Sequence, residues 1–396
     1  MTETRFTAWI VGAQVLVQIG AFSLPALLPV YMDRWSLSAT EAGWLVGAFF
    51  AAYVLAVPVL VALTDRLPAR SVYLVGAGAT ALSHLGFVFA DGFWSALILR
   101  AIGGIGWAGC YMPGLKAIAD RLEGAAQTRA VSWHAAGVGI AGAASFAVAG
   151  ALDALAGPEA AFLFGGACAA LAFVIGAVVM PGAAGRRAAA PAALLDFRPV
   201  LRNRAAMAWI AGYTAHTWEL GALRAWGVTF LVAVIAVQGA PSWLPGPNLL
   251  FTAAGLAGVA FSVWGNETTR RFGRPRVVAA AMGAGAVLSV LAGFSALVSA
   301  PLAVLCVLAW NAAIYLDSAA LTAGTVQSAE KERRGATMGL HSMCGYAGGF
   351  VGPIGVGVAL DWAGPEAVLG WALAFGHIAP VTLLGLWAVR RLGRAG

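Results

Sequence analysis

The sequence predicts an all-α polytopic membrane protein, with twelve transmembrane helices in two pseudo-symmetric six-helix bundles. Three observations carry this reading. Of 396 residues, 61% are hydrophobic and 10% are charged; a soluble domain carries about a quarter charged residues, so water is not the main solvent here. Apolar stretches of about 20 residues, the length that crosses a bilayer, recur from one end of the chain to the other. The second half also repeats the first at an offset of about 207 residues. Nothing in the chain alternates as the strands of a membrane barrel do, and its Gly- and Ala-rich runs suit helices packed closely in lipid.

Taken in order, the apolar segments place helices over residues 8–31, 42–63, 71–90, 94–117, 130–151 and 160–181. A second set covers 205–236, 247–266, 276–297, 300–326, 337–361 and 367–389. The first segment is too long for a signal-peptide core and lacks a cleavage site, so it is expected to remain as helix 1. The Ala-, Pro- and Arg-rich stretch 182–204 is the expected linker, which divides a bundle over 1–181 from one over 205–396. Three matches carry the repeat. Gly76-Ala-Gly78-Ala79 with Gly86-Phe87 corresponds to Gly283-Ala-Gly285-Ala286 with Gly293-Phe294. Ala151-Leu-Asp153 and the following Ala156-Gly-Pro-Glu159 correspond to Ala359-Leu-Asp361 and Ala363-Gly-Pro-Glu366. His134 corresponds to His341. Chains built from such repeats bind their ligands near the midplane of the membrane, at the repeat interface.

The net charge of +7 could suggest a nucleic-acid partner, but its distribution points elsewhere. Of 24 Lys and Arg, 21 fall in alternate connections or at the inner end of helix 4, and the opposite connections hold only Arg34. That alternation fixes both termini and the central linker in the cytoplasm of a bacterial inner membrane. Basicity here is topology; the expected surroundings are membrane lipids, and the expected state is a monomer. The four cysteines, Cys110, Cys168, Cys306 and Cys344, lie in apolar helices at no metal-ligand spacing. They are expected to be free thiols, with no metal and no cofactor.

Ionisable groups in hydrocarbon cost several kcal/mol unless paired or hydrated, so each asks for an explanation. Helix 7 holds His216, Glu219 and Arg224. At roughly 100° per residue, Glu219 and Arg224 fall on either side of His216 and too far apart to pair with each other. Their first-half counterparts Trp9, Gly12 and Val17 are uncharged. Arg100 in helix 4 and Asp317 in helix 10 show the same asymmetry. Arg224, His216 and Arg100 read as a cationic set for substrate, and Glu219 and Asp317 as proton carriers. Gln14 with Gln18 and Asn311 with Tyr315, each pair one turn apart, read as hydrogen-bonding residues of a substrate path or as links between helices. Trp107, Tyr111 and Trp310 fit aromatic walls or ordinary packing, and His84 and His377 fit packing. His134 and His341 repeat with the fold, which favours a gating role over binding. Asp65, at the inner end of helix 2, can accept amide N–H groups at the start of helix 11 near Gly335, where the helix dipole is positive.

Asp65-Arg66-Leu-Pro-Ala-Arg70 resembles the cytoplasmic loop signature of the major facilitator superfamily. Arg100-Ala-Ile-Gly-Gly104-Ile-Gly106 resembles that family's arginine-and-glycine helix, and Gly273-Arg274-Pro-Arg276 echoes the loop in the second half. The resemblance implies that helices 1, 4, 7 and 10 line a central cavity. It also implies a gating role for Asp65 with Arg66 and Arg70. The sequence departs from the family pattern at Val61 and Pro68. The Gly-Pro element of proton antiporters is missing from helix 5, and a similar one, Gly352-Pro353, stands in helix 11.

Two functional readings stay open. One is secondary transport by alternating access of a small organic anion, in symport with protons. The other is proton-coupled efflux of amphipathic or cationic compounds. A membrane sensor without transport is less expected, because only short segments flank the outermost helices. No nucleotide loop, metal cluster or nucleophile–base constellation is visible, so neither an enzyme nor an ATP-driven pump is expected.

Overall fold

The computed structural model describes residues 1–64, 66–182, 197–364 and 368–392. Eleven of its helices are long and apolar enough to cross a membrane. The twelfth, α4 (Ala69–Phe87), has 19 residues and carries Arg70, Thr80, Ser83 and His84. The others in the first half are α1 (Glu3–Gln18) continued by α2 (Ser23–Trp35), α3 (Ala39–Leu63), α5 (Phe93–Arg121), α6 (Gly124–Ala156) and α7 (Pro158–Val179). After the short α8 (Arg198–Arg202) come α9 (Arg204–Gln238), α10 (Pro247–Phe272), α11 (Arg274–Ser295) and α12 (Ala300–Ser328). A 3-10 turn at Lys331–Arg333 leads into α13 (Arg334–Ala363), and α14 (Val368–Gly376) with α15 (Ile378–Leu392) forms the last crossing. Every regular element among the described residues is helical, which satisfies each backbone N–H and C=O inside its own segment in lipid.

The chain forms two compact units, Met1–Leu27 with Ala48–Pro191 and Leu28–Gly47 with Ala192–Gly396. α3 therefore starts in the second unit and continues into the first. The first unit packs Phe6, Ile10, Tyr73, Ala77, Ile118 and Ile175 into one core. Close approach does much of the packing: a Cβ on Gly76 would lie 2.6 Å from the Gly109 carbonyl carbon, so α4 and α5 touch backbone to backbone. The second unit has a core of Trp209, Val278, Met282, Leu321, Leu386 and Val389.

The first and last crossings differ from the continuous helices that hydropathy suggests. The first breaks over 19–22, and side chains from other helices meet the freed backbone groups. The Phe22 amide donates to Ser145 Oγ at 3.0 Å, and His84 Nε2 lies 3.0 Å from the Gly20 carbonyl oxygen. His84 is thus more than packing; it holds the break together with its second ring nitrogen 2.9 Å from the Thr80 carbonyl. The last crossing breaks at His377, whose Nε2 accepts from Trp218 Nε1 at 3.2 Å. The four cysteines are free thiols.

Candidate functional site

The site grows from α9, a 35-residue helix capped at its start by Asn203, whose side chain accepts the Ala206 amide at 3.0 Å. At its end, Gly239 takes a φ of 71° that side-chain-bearing residues avoid. His216 and Glu219 are buried inside the second unit. Glu219 accepts hydrogen bonds from Trp310 Nε1 of α12 at 2.5 Å and from the Thr382 hydroxyl of α15 at 3.2 Å. Gly285 of α11 leaves the room: a Cβ there would stand 2.6 Å from Glu219 Oε1. One turn away, His216 Nδ1 lies 2.7 Å from Asp317 Oδ1 of α12, with side chains 1% and 2% exposed. Two carboxylates and an imidazole therefore share one interior, held by α9, α11, α12 and α15.

A ring stack leads away from this cluster. Tyr213 lies between His216, at 5.5 Å and 17°, and His341 of α13, at 3.9 Å and 19°. His341 is held by two hydroxyls, with Nδ1 3.1 Å from Thr325 Oγ1 and Nε2 3.3 Å from Thr322 Oγ1. Arg224, half-buried, turns to a different neighbour and donates to the Tyr315 hydroxyl. Its guanidinium carbon lies 5.7 Å from the Tyr315 ring centre. Asn311 donates to the Ala254 carbonyl at 2.9 Å, which links α12 to α10.

In the first unit Gln14 donates to Gln18 at 2.9 Å and both are buried. Arg100 is buried with its guanidinium 4.7 Å from the Phe49 ring centre. Trp107 stacks on Phe49 at 5.2 Å. His134 is wholly buried beside Tyr111, ring centres 5.4 Å apart, and among the described residues neither ring nitrogen has a hydrogen-bond partner. Arg66 is exposed and Arg70 sits in the first turn of α4. Asp65 lies outside the described residues. Among the described residues, no group of three His, Cys, Asp or Glu side chains could hold a metal ion.

The sequence model of the Major Facilitator Superfamily matches residues 10–247, more than half of the chain. The chain belongs to the Major Facilitator Superfamily. No curated protein matches it in sequence. Among solved structures it is similar to the nucleoside transporter NupG, at 14% identity and a TM-score of 0.78, with 99% of this chain and 100% of that one covered. It is also similar to a bacterial homologue of the human lysosomal transporter Spinster. In the inward-facing, occupied form of that protein the identity is 15% and the TM-score 0.73, covering 98% of this chain and 95% of that one. The unoccupied form gives 16% and 0.74, with 99% and 95% covered. At these identities the likeness shows the fold. Family and fold together make the chain a multi-pass membrane transporter.

Within this superfamily fold, the sequence reading missed three residues that shape the cluster. Thr382 and Tyr213 gave no signal, because a hydroxyl or a phenol is unremarkable in an apolar helix. Gly285 gave a partial one, since it sits in the repeated Gly-Ala-Gly-Ala run opposite Gly78.

Proposed function

We propose that this transporter moves a small organic anion in symport with protons. Glu219, Asp317 and His216 carry the proton, and Arg224 with Tyr315 holds the anion. One observation carries the reading: two acids and a histidine are buried together in the second unit, while Arg224, on the same helix, faces Tyr315 instead of either acid. Charge in hydrocarbon is costly, so a proton arriving at or leaving such a cluster changes which arrangement of its helices is stable. An acid–base cluster that is also the substrate's counter-charge would have to choose between proton and ligand; here the two tasks fall to different side chains. Arg224 supplies a fixed positive charge and several N–H donors, which suit a carboxylate, and the Tyr315 hydroxyl orients them.

The test uses purified protein in proteoliposomes and a panel of radiolabelled mono- and dicarboxylates, with a lipophilic dye cation in parallel. A carboxylate accumulated under an inward proton gradient, with binding abolished in folded Arg224→Ala protein, is the expected result. Well-folded Arg224→Ala protein with native carboxylate binding sinks the anion reading. Dye movement in place of carboxylate movement leaves cation efflux as the better account.

A further inference from the structure

We infer that Asp361 is a positioning residue of the transport cycle, a releasable hold by which the end of α13 grips the start of α3. Its two carboxylate oxygens accept the first two amides of α3, Ala39 at 2.8 Å and Thr40 at 2.7 Å. These groups have no partner inside their own helix, and they stand at its positive dipole end, which favours an anion there.

The surrounding contacts bring the two backbones together in register. A Cβ on Gly43 would stand 2.6 Å from the Pro353 carbonyl oxygen, and one on Gly47 2.8 Å from that of Phe350. Gly357 meets the Ala39 carbonyl in the same way. Trp44 packs edge-on against Phe350, ring centres 5.3 Å apart. The seam is small residues closed by one charge-assisted clasp.

Two features make the clasp releasable. The start of α3 keeps its own cap: the Ser38 amide donates to Glu41 Oε2 at 2.9 Å, and the Glu41 amide donates to Ser38 Oγ at 3.1 Å. This reciprocal capping box survives the loss of Asp361. Asp361 is also exposed, so water can take up its oxygens and the two amides when the helices part. The clasp is not a general property of the repeat. Asp153, the counterpart at the end of α6, has no hydrogen bond to its carboxylate among the described residues. From Ala48 onward α3 belongs to the first unit, so the clasp sits on the one stretch of α3 that the second unit holds. It lies at the end of α13 opposite Lys331, Arg333 and Arg334; the basic-residue distribution puts those three in the cytoplasm and so puts the clasp on the outer face. Opening to that face requires its release.

The experiment reads distance, not substrate, so it stands apart from the assignment of Glu219 and Arg224. Spin labels go on Asp33→Cys and Val358→Cys, both exposed, in an otherwise cysteine-free full chain reconstituted in lipid. Asp361→Ala is expected to at least triple the population of the longer distance. Asp361→Asn, which keeps one acceptor oxygen, falls between, and Asp361→Glu restores the native distribution in part. An unchanged distribution in Asp361→Ala overturns the inference. So does a lower thermal midpoint with the native distribution in the protein that stays folded, since Asp361 would then be a helix cap alone.

Discussion

His134 and His341 occupy corresponding places in the two repeats, and their surroundings differ. His341 is gripped by two threonine hydroxyls and stacked on Tyr213, whose other face meets His216 and, through it, Asp317. His134 is buried against Tyr111 with neither ring nitrogen hydrogen-bonded among the described residues. The contrast extends to the units that hold them. In the first unit, Ser145 and His84 mend a broken helix, Gln14 bonds Gln18, and Arg100 lies against the Phe49 ring. In the second unit, His216 meets Asp317 and stacks through Tyr213 on His341. Among the described residues, only the second of these repeated frames gathers acids beside its histidines.

The largest break in this comparison comes from Asp317. Asp317→Leu leaves His216 without its partner and should cost about 3–5 kcal/mol, read as a lower unfolding midpoint in detergent. Combining it with His216→Phe replaces the His216–Asp317 contact by apolar groups and should recover most of that loss, while proton-driven transport stays absent. Recovery of both would show that the pair is only structural.

The two histidines themselves sharpen the comparison next. His341→Phe keeps the ring but removes its two hydrogen bonds to Thr322 and Thr325, so it should cost about 1–3 kcal/mol. His134→Phe should be close to neutral, because no hydrogen bond is lost. Equal losses in thermal unfolding would erase the asymmetry. A smaller loss than that of His341→Phe belongs to the helix break: Ser145→Ala removes one bond to the Phe22 amide and should cost about 1 kcal/mol. A Ser145→Ala midpoint lower than that of His341→Phe would put the first unit's break above the second unit's cluster in importance.

Much of the fold was legible because hydrocarbon dictates composition: a span must be apolar and about 20 residues long whatever it packs against. The break over 19–22 was not legible, since Ile19, Gly20, Ala21 and Phe22 are as apolar as the helix around them. Its stability resides in Ser145 and His84, more than sixty residues away in sequence. The same division runs through the site. Glu219, Asp317, His216 and Arg224 can be read as candidates because charge in a membrane is expensive. Helical spacing showed that Glu219 and Arg224 face apart, yet gave no sign of Trp310, Thr382 or Tyr315 as their actual neighbours. Trp310 read as a wall or as packing and bonds the buried acid; Asn311 read as a lining residue or a link between helices and bonds the Ala254 carbonyl of α10. Partners across helices are set by packing, which a single sequence does not display.

The central claim is that the second unit's cluster carries the proton, and Glu219→Gln tests it most directly. Glutamine fills the same space and keeps an acceptor for Trp310 or Thr382, but it cannot take up a proton at pH 7. In proteoliposomes, substrate exchange at equal pH should stay within about threefold of native, while accumulation under an inward proton gradient is lost. Native accumulation by folded Glu219→Gln protein under that gradient would contradict the account.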